Sequence, residues 1–300
     1  MSRKKPLSAI LIAFTIIVII FDPLYLSARG KKGKDRIKPV GPDPKIVRTA
    51  VIGGMIMTGL WKEISKRFEA KTGYKVVVVA HGPRPVLDRA FREGKADLLT
   101  MHSGDITTDL VADGYGMNMR RWARNDLVIV GPPSDPAKIR GLRSGVEAFK
   151  RIAAAQAPYL DAFNKGGREL SHTLWTKAGV RPRGSWVIKD EGNRAKDIIT
   201  FADKNNAYVV FGRMPVLFEK IELGSMKIMV EGDPLMRRPY VVMEANPKRI
   251  PGANMKGAKM LADFLLSEEI QKFLSKFGTK EYGGMPLFYP VWPEGSEIPS

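Results

Sequence analysis

The chain of 300 residues contains no cysteine and only three histidines. The first absence excludes disulfides, thiolate nucleophiles and zinc–thiolate sites, and the second leaves little from which to build a metal cage. Acids are scarce as well. Thirty-one Asp and Glu stand against 49 Lys and Arg, giving a formal charge of +18 and a pI near 10. A surface of that sign favours anionic partners without naming them. G-x-S-x-G, G-x-G-x-x-G and G-x-x-x-x-G-K-[ST] are all missing, so nucleophilic hydrolysis and nucleotide chemistry have no anchor. The paired acids Glu268 and Glu269 open a predicted helix, where they complement its dipole. These absences describe a binding protein rather than an enzyme, with no cofactor.

A long apolar run occurs at the N-terminus. Arg3, Lys4 and Lys5 precede an apolar stretch at 7–21 that breaks at Asp22 and Pro23. This is the layout of a secretory signal, and the apolar part is short for a membrane span. Leu26-Ser27-Ala28 offers a cleavage site; an uncleaved anchor with its basic flank inside is the alternative. We read 1–29 as signal peptide or anchor and 30–45, rich in Lys, Gly and Pro, as a solvated tether. The expected location is periplasmic or extracytoplasmic. No cysteine follows the run, which excludes a lipoprotein anchor.

Three hundred residues exceed the usual size of a single core, and 44% hydrophobic residues suffice to fill two. The stretch 73–132 organises the rest. Strands are predicted at 76–80, 96–101 and 126–130, separated by helices, with apolar runs too continuous to face water on either side. That pattern spells a parallel sheet covered by helices, which binds ligands at the carboxyl ends of its strands. Ahead of it, 46–52 reads as a strand ending at Gly53 and Gly54. A helix follows, with Thr58 as its cap and Leu60, Ile64 and Phe68 on its apolar face. A strand, two glycines and a helix start together make an anion site out of unpaired backbone N–H groups.

Composition shifts after Pro136, and strands are expected at 159–163, 185–189, 208–211, 226–230 and 240–243. Helices at 254–267 and 268–277 complete the first unit. The fold expected is α/β and two-lobed, each lobe a mostly parallel sheet flanked by helices, with the cleft between them. Lobe 1 comprises 46–132 and 236–300, and lobe 2 comprises 133–235. The candidate ligand-binding residues are those at strand ends: Gly53, Gly54, Thr58, His81, Arg84, His102 and Ser103. From the second lobe come Lys165, Arg168, Asn193 and Arg194. Each has a plainer role open to it. The glycines suit a tight turn, Thr58 a helix cap, the histidines an orienting role, and the basic residues a solvated surface. Arg120-Arg121-Trp122-Ala123-Arg124 interleaves an aromatic with arginines, the kind of patch that holds phosphate and stacks a base.

The runs GKADLLTMHSG (94–104), LVADGYG (110–116) and RNDLVIVGPPSDPAKIRG (124–141) resemble the periplasmic tungstate-binding proteins of ABC importers, a type II solute-binding family. The likeness extends less sharply over 46–284. It implies an extracytoplasmic protein, probing as a monomer for a small anion such as tungstate or molybdate and passing it to an inner-membrane ABC permease and its ATPase. The sequence departs from the family at two places. A TTTS-like motif is replaced by Val51-Ile52-Gly53-Gly54, and the RGDDSGTH-like loop is lost ahead of ELSHTLWTKAG (169–179). Lys165 and Arg168 are the substitutes at hand for that loop's arginine. The alternatives are an envelope receptor or structural domain that has lost oxyanion binding, and a basic nucleic-acid-binding protein.

Overall fold

The computed structural model describes residues 44–163, 165–190, 192, 195–218 and 221–291. The leader at 1–29 and nearly all of the tether at 30–45 lie outside them, as do Asn193 and Arg194.

Strand β1 (Ile46–Ile52) is buried from Val47 inward and lies between two parallel neighbours, β2 (Lys75–Gly82) and β3 (Leu98–His102). Helices α1 (Gly53–Met57) and α2 (Leu60–Thr72) connect β1 to β2, and α3 (Arg84–Arg92) connects β2 to β3. Along α2 the side chains of Leu60, Trp61, Ile64 and Phe68 recur on one face, and all four are buried. Gly59 and Gly73 bound the helix at φ 77° and 71°, the left-handed conformation that glycine adopts without a Cβ clash. Thr58 therefore does not cap α2; it closes α1, its Oγ1 donating to the Gly54 carbonyl at 2.9 Å.

Two predicted strands differ from expectation. The apolar run 76–80 belongs to the sheet's edge rather than its interior, and Val77, Val78 and Val79 remain 36–43% exposed because no strand among the described residues pairs beyond β2. The strand expected at 126–130 is the last part of a 16-residue strand, β4 (Gly116–Gly131), reached through α4 (Asp105–Ala112). It does not continue the parallel series. Strand β9 (Arg237–Ala245) returns from the second half of the chain and inserts between β3 and β4, antiparallel to both. With β10 (Tyr289–Pro290) on the far side of β4, the first sheet runs β10-β4-β9-β3-β1-β2. It is mixed rather than mostly parallel.

From Leu127 onward β4 changes partners and pairs antiparallel with β7 (Val209–Gly212) and β8 (Lys227–Val230). Alternation along the strand then supplies two separate cores. Leu127 and Ile129 pack with Phe149 of α5 (Gly145–Ala154) and with Leu174 and Trp175 of α6 (Lys165–Ala178). Val128 and Val130 pack with Ile198 and Ile199 of α7 (Ala195–Lys204). A short parallel pair, β5 (Tyr159–Asp161) with β6 (Val187–Lys189), lies alongside. Helix α8 (Arg213–Leu217) leads out of β7. Helices α9 (Met255–Leu265) and α10 (Glu268–Leu274) return to the first core through Leu261, Phe264, Ile270 and Leu274. Leu287 and Phe288 of the closing stretch cover it.

Candidate anion site

Four strand ends meet at one corner. Gly53 follows β1 directly, and a Cβ there would lie 3.5 Å from the Cα of Gly82 at the end of β2. Gly54 faces Tyr240 Oη and Met214 Sδ, each 3.7 Å from where its Cβ would be. His102 ends β3, and its ring stacks on Tyr240 of β9 with centroids 4.2 Å apart. The backbone N–H of Ser103, next along, donates to the Pro239 carbonyl at 3.0 Å. Arg84, in the first turn of α3, reaches across to Gly104 and holds Asp105 only at 3.4 Å. Absence of a side chain at Gly104 makes that approach possible, since a Cβ would come within 2.9 Å of Arg84 Nη1.

The fourth side is Arg238, the second residue of β9. Its guanidinium lies against Gly166 in the first turn of α6, where any side chain would collide with it. It makes no hydrogen bond or ion pair with the described residues. Burial lowers its pKa, and the nearby Arg84 charge lowers it further. A guanidinium at a helix N-terminus faces the positive end of the dipole, so the pair repels until an anion lies between them. His102 records the same field. Burial first, then the charges of Arg238 and Arg84, push its pKa well below the ordinary histidine value, while Asn125 opposes them. Tyr240 keeps its proton, because burial raises its pKa. The corner thus presents two guanidinium forks, a phenol donor and glycine backbone, and lacks a carboxylate on Arg238. Uncompensated charge taken out of water is costly, and a bound anion removes that cost.

The residues singled out in the sequence divide into groups. Gly53, Gly54, Arg84, His102 and Ser103 all lie at this corner. His81 is exposed at the end of β2, and Thr58 has its hydroxyl committed to Gly54. Arg168 is already held by Asp161, its Nε donating to Oδ1 at 3.1 Å and its Nη2 to the main-chain carbonyl at 2.9 Å. The backbone of Lys165 begins α6. Its side chain, and both Asn193 and Arg194, fall outside the described residues. Sequence reading missed Arg238 and Tyr240, although Arg237-Arg238-Pro239 immediately ahead of a predicted strand was a visible signal. The basic patch at 120–124 is a correction. Trp122 is fully buried, with Nε1 bonded to Thr100, and Arg120 is paired with Glu244 and Asp263, so no ring is free to stack on a base.

Among proteins of known identity, the chain is 30% identical over 262 residues to the tungstate-binding protein TupA of Peptoclostridium acidaminophilum, covering 83% of this chain and 90% of that one. A tungstate ABC transporter structure from Geobacter sulfurreducens superposes with a TM-score of 0.62 at 28% identity, over 78% of this chain and 99% of the other. The TupA structure from Desulfovibrio alaskensis G20 gives 0.67 at 23% identity, over 82% and 98%. That likeness shows the fold, the type II periplasmic-binding arrangement. Residues 49–280 match the bacterial extracellular solute-binding proteins, and the chain belongs to that family.

Proposed function

We propose that this chain captures a small oxyanion, of the tungstate or molybdate kind, between its two lobes and hands it to an ABC permease driven by a partner ATPase. It performs no chemistry and needs no cofactor. The supporting observation is Arg238, a largely buried guanidinium beside Arg84 with no carboxylate of its own. The relatives named as tungstate-binding proteins support the ligand class. In this reading Arg84 and Arg238 grip the anion, Tyr240 Oη and Ser103 Oγ donate to it, and the backbone at Gly53 and Gly54 replaces the hydroxyls that the resembled family has there. The lobes in this reading are 46–132 with 236–300 and 133–235, a division supported by the change of partners along β4 after Asp126. The protein works outside the cytoplasm as a monomer, exported by its leader.

A thermal-shift panel on the purified full chain tests this, with sodium tungstate, molybdate, sulfate, phosphate and small carboxylates. An oxyanion at a hundredfold excess over its Kd adds roughly 2.7 kcal/mol of stability. A flat panel overturns the reading and favours an envelope receptor that has kept the fold without the ligand.

A further inference from the structure

The two ring nitrogens of His102 have different surroundings. Nε2 is fully buried and makes no hydrogen bond, and Oδ1 of Asn125 is likewise buried and unmatched. Asn125 lies near enough to this ring to favour its charged form, although neither of these two atoms completes a hydrogen bond. An amide oxygen only accepts, so of the two neutral tautomers the one protonated on Nε2 suits Asn125. The residue as a whole is only part-buried, which leaves Nδ1 on the accessible side, carrying a lone pair. An acceptor is out of place there. The corner otherwise offers donors, and a fully ionised oxyanion has nothing but acceptors to set against that lone pair.

We propose that the chain captures its anion together with one proton, shared with Nδ1 of His102. Solution supplies the proton when the anion is fully ionised, and the anion brings it when it is already protonated, as hydrogen phosphate is. This rests on the anion-capture reading above and adds the proton to it. The reason is electrostatic. Without a ligand, the ring is flanked by Arg238 of β9 and Arg84 of α3, which oppose a further positive charge, and by the protonated Tyr240 beneath it. Asp105 of α4 sits behind Arg84, and Glu169 of α6 acts on Arg238. Burial is the first cause that keeps the proton off, and the two guanidinium charges add to it. An entering dianion neutralises both guanidinium groups and accepts from the newly protonated ring, which outweighs the burial that remains. Asp126, the other titratable group nearby on β4, is engaged by Tyr289 and Arg237 instead.

Affinity for a fully ionised oxyanion should then rise as pH falls, by up to about tenfold per pH unit where a whole proton is taken up. Hydrogen phosphate should show a shallower dependence. The test is titration calorimetry of the full chain with sodium tungstate, sodium sulfate and sodium phosphate, in buffers of different ionisation heat, from about pH 6.5 to 8. The proton number is expected to approach one for tungstate or sulfate at the acidic end and to vanish in His102→Gln. Binding without proton uptake at any pH, or uptake unchanged in His102→Gln, overturns the proposal while leaving anion capture intact. No binding heat with any anion overturns both. Should His102→Gln fail to fold, NMR titration of the three histidines in the wild-type protein decides: the His102 signals move to a higher pKa on adding sulfate, or the proposal fails.

Discussion

Arg237 and Arg238 are neighbours on β9, and the alternation of the strand turns them to opposite faces. Opposite them on β4 stand Asp126 and Asn125 respectively. On the first face the protein answers its own charge. Asp126 lies 3.6 Å from Arg237 and accepts from Tyr289 Oη at 2.6 Å, and the Arg237 guanidinium lies over the Tyr289 ring at 3.6 Å from its centroid. On the second face Asn125 provides no charge, and Arg238 is left for a ligand. Two faces of one strand pair, distinguished by an acid and its amide, separate a structural ion pair from the proposed anion site. A buried cation identifies a site when the residue across from it is neutral.

The largest break in this comparison is Arg238→Ala. Removing a desolvated charge that contacts a bound ion costs about 3 kcal/mol, a loss of more than a hundredfold in oxyanion affinity by calorimetry. Stability of the unliganded variant in urea should hold or rise, since an uncompensated charge has gone. A fall in unliganded stability would show that Arg238 is structural. The opposite face should respond to pH. Burial holds the pKa of Asp126 up at about 6, against the attraction of Tyr289 and Arg237. An unfolded aspartate titrates near 3.9, so between those values the folded chain carries a proton that the unfolded chain has released. This carboxyl therefore adds stability in acid and loses it as pH rises through about 6. The difference is about 2 to 3 kcal/mol. Asp126→Asn should remove that dependence, read as the wild-type-minus-variant difference in urea stability between about pH 4 and 7. A flat difference would mean that Asp126 is ionised throughout.

Asn125→Asp sharpens the comparison by making the second face resemble the first. A carboxylate opposite Arg238 competes with the ligand for the guanidinium, and affinity should fall about tenfold for a pairing of about 1.4 kcal/mol. Unchanged affinity would mean that Arg238 does not hold the anion.

The distribution of these charges explains how much of the molecule could be read from its sequence. Helices α2 and α9 and the strands of both cores follow from apolar periodicity, because burial of a stripe is a local property of the chain. The insertion of β9 between β3 and β4 is not local. It joins residues near 116–126 to residues more than a hundred positions away, and no pattern within either segment announces the partner. The site divides in the same way. That Gly53, Gly54, Arg84 and His102 come together was legible, because a parallel βα unit delivers its strand ends to one edge. Arg238 was not, because among 49 basic residues a largely buried one without an ion pair is recognised only by its cross-strand neighbour. Trp122 shows the converse error. Set between arginines it resembles a stacking platform, yet along a stretch of β4 with register shifts the indole is buried in the core, Arg121 is exposed, and Arg120 is part-buried against Glu244 and Asp263.

Arg168 provides the smallest effect and the cleanest control, since sequence alone ranks it with Arg84 as a guanidinium near the cleft. Its Nε and Nη2 both donate to Asp161, from the end of β5, and its charge lies over the Phe163 ring at 5.2 Å from the centroid. Reaching an anion would require breaking two charge-assisted bonds that already satisfy the fork, at a cost comparable with what the new contact would return. Arg168→Ala should therefore leave oxyanion affinity within about threefold of wild type, under 1 kcal/mol, while loosening the β5–α6 connection enough to lower unfolding stability modestly. A hundredfold loss of affinity instead would place Arg168 among the ligand's donors and would mean that the Asp161 pairing opens when the anion arrives.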